Sequence, residues 1–520
     1  MKVGEGGETI EIPDQDVASY VLEHAAERGE RPALIDGPSG RTITYGELAE
    51  KSAALAAGLA SRGFGKGDSF CIYMPNVPEY AIAFYGAAMT GGCATTANPL
   101  YTPRELQHQL DDSGARFLLT IPDFLETANK AAEAAGVEEV FVLGEAEGAT
   151  PFAELFGDAA DAPEVEIDPE DIAVLPYSSG TTGLPKGVML THRNLVANIQ
   201  QIQACNPIDD SDVEVGCLPF FHIYGQTVIM NQGLREGALI VTMPRFDLGQ
   251  FLELIAEHKV TRTFVVPPIA LALAKHPSID EADLSTVKTV MSGAAALGAE
   301  LQQKVAERIG AAVFQGYGMT ELSPVSHVIR ESGRNKPGSI GPAIPDTECR
   351  LVDPESGEDV TELGERGELW IRGPQVMKGY LNNDEATAET IVEGDWLRTG
   401  DIAVRDEDDY YEIVDRLKEL IKFKGFQVAP AELEGLIINH PKVADVAVIG
   451  VADEECGELP KAFIVPTDSG DFDEDELKAF VAEQVSPQKR IRLVELIDEI
   501  PKSASGKILR RQLRDREHAA

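Results

Sequence analysis

The chain has 520 residues, 43% of them apolar and 25% charged, which places it among packed globular proteins rather than disordered or fibrous ones. Against 45 Lys and Arg stand 87 Asp and Glu, a net charge of −42, and this balance argues against a nucleic-acid partner. The acids are spread along the whole chain, densest at residues 406–409 and 473–476, so they read as an acidic surface of the kind found in salt-adapted (halophilic) proteins, since the Debye length falls to about 3 Å in 1 M salt.

Residues 1–11 carry glycines and acids where a secretory signal needs a basic segment followed by an apolar one. Thr44 with Glu47 predicts a capped helix start, and Thr102 with Glu105, with Pro103 at the first helical position, predicts another. Up to residue 320, short apolar runs alternate with helix-period segments: 69–74 then 78–89, 172–176 then 193–203, and 287–291 then 299–309, the last closed by Gly310. This alternation predicts α/β layers with largely parallel sheets. The longest apolar stretch, 81–96, is rich in Gly, Ala and Thr and falls short of the ~18 residues that a membrane span needs. From 336 to 411 the composition shifts to Gly, Pro and short strand-like runs, a β-rich subdomain. After Asp415 a new pattern predicts a helix over 431–439, strands over 443–451 and 462–466, and a helix over 473–485 introduced by Asp473 and Glu476. That segment is long enough for a small separate α+β domain. The six cysteines, at 71, 93, 205, 217, 349 and 456, have no paired or His-partnered spacing, so neither a zinc site nor a disulfide framework is expected. The expectation is a soluble cytoplasmic protein.

Three segments carry chemistry. YSSGTTGLPKGV, at residues 177–188, follows a predicted strand and is expected to precede a helix. Its glycines let backbone N–H groups turn inward, Ser178, Ser179, Thr181 and Thr182 add hydroxyls, and Lys186 adds charge, together a cradle for polyphosphate. Pro185 stands where a Walker A loop has Gly, and no Ser or Thr directly follows Lys186, so it is a different phosphate loop. QGYGMTE, at 315–321, supplies an aromatic ring, close-approach glycines, a hydroxyl and a carboxylate. In WLRTGD, at 396–401, Asp401 could accept from two ribose hydroxyls, although Thr-Gly-Asp alone would be a turn.

With PFFHIYG at 219–225, DRLKELIKFKGFQVAP at 415–430 and PKSASGKILRR at 501–511, these motifs resemble, in order and over nearly the whole chain, the acyl-adenylate-forming superfamily. The wording is most similar to the branch of 4-coumarate–CoA ligases, fatty acyl-CoA synthetases and firefly luciferase. The resemblance implies an α/β N-terminal adenylation domain over 1–414 with its β-rich subdomain over about 336–414, a hinge over 415–418 and a mobile C-terminal domain over 419–520. It implies ATP, Mg²⁺ and CoA as partners. ATP would meet Ser178, Ser179, Gly180, Thr181, Thr182, Gly183, Lys186, Gln315, Gly316, Tyr317, Gly318, Thr320, Asp401, Arg416 and Lys507. Within that set Tyr317 would stack on adenine, and Asp401 and Arg416 would hold ribose. Glu321 would hold Mg²⁺, His222 would place the carboxylate, and Lys507 would be the main catalytic residue of adenylation.

For the second half-reaction the resemblance implies a rotation about Lys418 that brings Lys422, Lys424, Gly425 and Gln427 to the thiol of CoA. Of the 20 Lys in the chain, three fall between Lys418 and Lys424, which fits anion binding on an otherwise acidic protein. The acid pocket would be lined by Tyr224, Val228, Gly293, Ala294, Gly316, Pro324 and Val325, which suits an aryl or fatty tail better than a charged one. Amino-acid-activating relatives place an Asp near the His222 segment, and FFHIY has none. The expected function is therefore an AMP-forming acid–CoA ligase. A free-standing adenylation enzyme that loads a separate carrier protein is the alternative, a luciferase is weaker, and a non-enzymatic nucleotide-binding regulator is disfavoured because Lys507, Glu321 and Asp401 are all present.

Overall fold

The computed structural model describes residues 4–5, 9–178, 185–424, 426–453, 455–468, 472–503 and 506–519. Two eight-stranded sheets form the larger part of the molecule, and both are parallel in the middle; the second is antiparallel at both edges and the first only at its Gly379–Tyr380 end. The first runs Gly379–Tyr380, Lys186–Thr191, Ile172–Ser178, Cys93–Thr96, Ser69–Tyr73, Ala115–Thr120, Glu139–Val142, Thr150–Pro151. The second runs Val325–Val328, Ala312–Gly318, Thr289–Ser292, Arg262–Val265, Val213–Gly216, Leu239–Thr242, Pro32–Asp36, Thr42–Thr44. Parallel strands covered on both faces read as continuous apolar runs, and Ser69–Tyr73, Ser-Phe-Cys-Ile-Tyr, is buried at every position.

Local signals set the helix ends. Thr44 and Thr102 each form a reciprocal capping box, with Glu47 and Glu105, and Pro103 opens the second helix. Gly310 closes Ala299–Ile309 in the left-handed region at φ 75°, where a Cβ would be strained. Asp473 caps Glu474–Gln484 by accepting from the N–H groups of both Asp475 and Glu476.

The phosphate-loop segment departs from the strand–loop–helix expectation. Ile172–Ser178 turns back into a second, antiparallel strand, Lys186–Thr191, with Lys186 opposite Ser178 and Gly187 opposite Tyr177. Gly187 permits this, because a Cβ there would lie 3.0 Å from the Tyr177 ring. The helix His192–Cys205 begins only after that strand, capped by Thr191, so an antiparallel strand and not a helix follows the phosphate-loop segment.

The β-rich region forms a six-stranded sheet in which Gly367–Arg372 lies between Glu348–Val352 and Trp396–Arg405. Tyr411–Arg416 pairs with Trp396–Arg405, placing Arg416 opposite Asp401 before the chain leaves the sheet. Beyond it, Phe426–Val428, Ile421–Phe423, Gly457–Pro466, Val443–Asp453 and Leu493–Leu496 make a five-stranded sheet. Helices Pro430–Ile437 and Glu474–Gln484 pack on it around Ile421, Leu433, Val446, Ile464, Leu477 and Val481, a core distinct from the larger one. Each such buried aliphatic side chain contributes about 1.5–3 kcal/mol of transfer free energy. Among the described residues, no helix is long and apolar enough to cross a membrane.

Candidate active site

A cavity of about 1230 Å³ opens where the edges of these sheets meet the segment that carries Lys507. Ser178, Lys186, His222, Gly316, Tyr317, Gly318, Thr320, Glu321, Arg416, Lys418 and Lys507 line it, and so do all seven residues expected of an acid pocket. The motifs are far apart in sequence. Antiparallel pairings at the sheet edges bring them together: Ala312–Gly318, which carries the aromatic-glycine segment, pairs with the edge strand Val325–Val328, and Gly379–Tyr380 pairs with the strand after the phosphate loop.

At one corner, the short turn Thr320–Leu322 holds Glu321 almost buried, at 6% exposure. The Ser178 hydroxyl donates to its Oε1 at 3.0 Å and the Tyr380 hydroxyl donates to the same oxygen at 2.8 Å. The Lys186 ammonium lies 4.3 Å from the centroid of the Tyr380 ring, a cation–π contact that keeps it at the cavity wall. A single carboxylate oriented by two hydroxyls is a hard oxygen donor of the type Mg²⁺ takes, since that ion fills most of its shell with phosphate and water oxygens. The residues therefore fit a magnesium ion bound together with a polyphosphate.

Beside it, Tyr317 donates its hydroxyl to Asp401 Oδ2 at 2.6 Å, and Asp401 Oδ1 pairs with Arg416 Nε at 3.2 Å. The carboxylate raises the pKa of Arg416, while burial and the same carboxylate hold the Tyr317 phenol neutral, well above its ordinary value. Asp401, 4% exposed, braces Arg416 and Tyr317, which line the cavity.

Lys507 enters from the C-terminal segment, tied to Ser503. Its N–H donates to Ser503 Oγ at 3.1 Å, and its carbonyl accepts from the Ser503 N–H at 2.8 Å. Gly506, at φ 77°, lies against the larger part, because a Cβ there would lie 3.1 Å from Val266 and 3.2 Å from Pro268. Burial, then the Arg416 charge, lower the Lys507 pKa to about 8, against the pull of Asp401 and Glu321. His222, whose Nδ1 accepts from the Tyr224 N–H at 3.2 Å, is lowered to about 4 by burial and by Lys507, so its ring is neutral. The site is thus cationic but desolvated, a place where a bound polyanion restores charge to Lys507.

The acid end is built on an irregular helix. Tyr224–Asn231 is a π-helix, which the sequence pattern did not predict and which turns Tyr224 and Val228 toward the cavity. The Tyr224 ring meets Phe264 edge-on at 6.5 Å between centroids, and its hydroxyl donates to the Met291 carbonyl at 3.3 Å. Gly293 allows this close fit, since a Cβ there would lie 2.9 Å from the ring.

Several expected site residues lie elsewhere. Gln315 is 1% exposed, does not line the cavity, and spends its amide on backbone: it accepts from the Leu297 N–H at 2.6 Å and donates to the Ser339 carbonyl at 3.2 Å. Its side chain braces two loops. Lys422, Lys424 and Gln427 are exposed and outside the cavity. Ser179, Gly180, Thr181, Thr182, Gly183 and Gly425 lie outside the described residues. Conversely, Tyr380 is at the site without having been singled out; it lies in a Lys-Gly-Tyr-Leu run whose only signal was the neighbouring apolar pattern. Phe264 and Met291 are likewise cavity residues that read in sequence only as strand core.

Two helix-flanked sheets, a β-rich sheet and a small terminal α+β unit, meeting at a cavity with Lys507, Glu321 and Arg416, define an adenylate-forming enzyme. The chain belongs to the AMP-binding enzyme family: the family model matches residues 21–381, and the model of the AMP-binding enzyme C-terminal domain matches 432–507. It is 46% identical over 519 residues to 4-coumarate–CoA ligase 3 of Oryza sativa subsp. japonica, covering 98% of this chain and 93% of that one. It is 47% identical over 516 residues to 4-coumarate–CoA ligase 2 of Nicotiana tabacum, covering 97% and 95%. Among solved structures, the anthranilate CoA ligase AuaEII in complex with anthranoyl-AMP superposes with a TM-score of 0.90 at 27% identity, covering 98% of both chains. A benzoate CoA ligase from Burkholderia xenovorans LB400 superposes with a TM-score of 0.86 at 28% identity, covering 96% of this chain and all of the other.

Proposed function

We propose that this chain is an AMP-forming acid–CoA ligase for aromatic carboxylic acids. It converts ATP and an acid to an acyl adenylate and pyrophosphate, then passes the acyl group to CoA with release of AMP. The observation that carries the reading is the convergence of Lys507, Arg416 and Glu321 on one cavity whose other end is walled by Tyr224, Phe264 and Met291. The near full-length likeness to 4-coumarate–CoA ligases supports the aromatic class.

In the first half-reaction a carboxylate oxygen attacks the α-phosphorus while the bond to pyrophosphate breaks. A carboxylic acid of pKa near 4 is already ionised at neutral pH, so no general base is needed, and neutral His222 serves to place the acid. The obstacle is bringing two anions together. Lys507 and Arg416 offset it with fixed positive charge in a desolvated site, where such charge acts most strongly. When bound, Mg²⁺ would supply Lewis-acid neutralisation at the phosphates, held by Glu321. Tyr317 would stack on adenine, Asp401 and Arg416 would hold the ribose, and the loop from Ser178 to Lys186 with Thr320 would take the phosphates.

For the second half-reaction the thiol sulfur attacks the acyl carbon, AMP leaves, and the thiol proton is released. Lys507 occupies the approach, so residues 419–520 would turn about Lys418, within a hinge over 415–418, as a unit separate from residues 1–414. That turn would bring Lys422, Lys424, Gly425 and Gln427 toward CoA. An acidic surface points to a cytoplasm of high salt, where screening relieves repulsion between the net charge and its anionic substrates.

Acid-dependent pyrophosphate release over cinnamates, benzoates and fatty acids of graded length, at low and multimolar KCl, tests these points together. Release with aromatic acids and CoA-dependent thioester is expected, with higher activity in high salt. No release with any acid overturns the ligase reading, preference for fatty acids overturns the aromatic class, and inhibition by salt overturns the halophilic reading.

A further inference from the structure

Helix Pro267–Lys275 of the larger part meets residues 419–520 at both of its ends. At its start, Val266 and Pro268 leave little room at Gly506, where a Cβ would lie 3.1 and 3.2 Å from them. At its end, the Lys275 ammonium donates to the Ile438 carbonyl at 3.1 Å. The helix between them sets these two contacts about 10 Å apart along its axis.

Ile438 is the cap residue that ends Pro430–Ile437, and its own N–H donates back to the Glu434 carbonyl. Carbonyls in the last turn of a helix have no partner within it and carry the negative end of its dipole. Lys275 supplies a donor and a positive charge to that end from the other side of the boundary. Asp445 and Glu300 attract the ammonium there, while Lys304 repels it. Glu300 pairs with Lys304 at 2.6 Å, and Asp445 pairs with Lys502 at 2.5 Å, in the segment that leads to Lys507. The contact thus adjoins the part of the chain that delivers the catalytic lysine.

We propose that Lys275 is a positioning residue for adenylate formation, a latch on the end of helix Pro430–Ile437 that holds the terminal unit where Lys507 faces the cavity. The inference rests on the two-arrangement ligase reading above and adds what selects one arrangement. The chain over 415–418 holds the terminal unit at one point, and a unit held at one point swivels. Gly506 and Ile438, seated at opposite ends of one rigid helix, give two further points that oppose swivelling. A turn about Lys418 carries Ile438 away from Lys275, so the contact stabilises one arrangement and not the other, which is the condition for biasing an equilibrium. In a two-state exchange each half-reaction scales with the population of its own arrangement, so the ratio of the two rates follows the equilibrium constant directly.

The test is Lys275→Met, which keeps the aliphatic stem and removes the ammonium. Single-turnover measurements on one preparation read both half-reactions: acid-dependent pyrophosphate release, and thioester formation from a supplied acyl adenylate. The ratio of the first rate to the second is expected to fall roughly two- to fivefold, the range for a cation at a helix C-terminus. Lys275→Arg, which keeps charge and donor, should hold the wild-type ratio. Amine labelling of Lys275 in the wild-type enzyme, read by mass spectrometry, should be slower with ATP bound than with AMP and CoA bound. An unchanged ratio in Lys275→Met, or an equal fall in both steps, overturns the latch, as does equal labelling in the two complexes. Absence of pyrophosphate release with every acid falls on the ligase reading instead, and the labelling comparison, which needs no turnover, still decides the contact.

Discussion

Lys507 and Lys422 belong to the same terminal part of the chain, yet they meet opposite environments. Lys507 faces the cavity, close enough to Arg416, Glu321 and Asp401 for their charges to move its pKa. Lys422 sits on the edge hairpin Ile421–Phe423 and Phe426–Val428, its side chain in solvent and its N–H donated to Glu458 Oε2 at 2.7 Å. The difference teaches that this arrangement offers Lys507 to the cavity and leaves Lys422 in solvent, the two positions that the proposed turn about Lys418 would exchange. The arrangement here suits adenylate formation.

The largest expected effect breaks that comparison on its buried side. Lys507→Ala removes the charge beside the α-phosphate and should lower adenylate formation by about 10²–10³-fold, the range for losing one preorganised electrostatic contact. Thioester formation from a supplied acyl adenylate should be spared, and equal loss of both steps in single-turnover assays would sink the two-face account. Lys422→Ala should do the reverse on a smaller scale, roughly tenfold or about 1.4 kcal/mol in the thioester step. Normal thioester formation in that variant removes Lys422 from the CoA face.

The two lysines should also separate by pH. Lys507 acts as a cation, and its pKa in the free enzyme is lowered to about 8. The kcat/KM for ATP in adenylation should therefore fall about tenfold per unit as pH rises above about 8. Bound ATP favours the charged form, so kcat should hold to higher pH. Lys507→Arg, charged throughout, should flatten the kcat/KM profile, and a wild-type profile flat to pH 10 would contradict a desolvated Lys507. The linkage has a definite sign: between about 8 and the unfolded value near 10.4 the unfolded chain binds the extra proton, so this group makes the fold more stable as pH rises through that window.

How far the sequence announced this site depends on what holds each residue in place. Capping at Thr44 and Thr102, the helix closed by Gly310 and the buried parallel strands follow from local pattern, and the structure has them. The phosphate-loop segment reads as strand, loop and helix, because a short strand with Gly187 near its start looks like a loop until its partner strand is known. The π-helix at Tyr224–Asn231 leaves no period that distinguishes it from an ordinary turn of helix. Gln315 carried a motif's expectation into a bracing role, since motif position says nothing about which way a strand residue points. Tyr380 is invisible because it acts through Glu321, a partner far away in sequence.

The smallest effect tests the wall that no rotation should disturb. Tyr380 donates to Glu321 and its ring carries the Lys186 ammonium, and both contacts lie within the part that would stay fixed while Lys507 and Lys422 exchange places. Tyr380→Phe keeps the ring and removes only the hydroxyl, so the cation–π contact remains and one charge-assisted hydrogen bond is lost. Ser178 still donates to the same oxygen at 3.0 Å, which limits the damage to about 1 kcal/mol, roughly fivefold. The loss should appear as a higher Mg²⁺ requirement for adenylation and weaker Mn²⁺ binding in the ATP complex, while transfer from a supplied adenylate to CoA is unchanged. An equal loss in both steps would mean that Tyr380 supports the cavity as a whole. The division of labour would then lie less cleanly between a fixed metal corner and two alternating lysines.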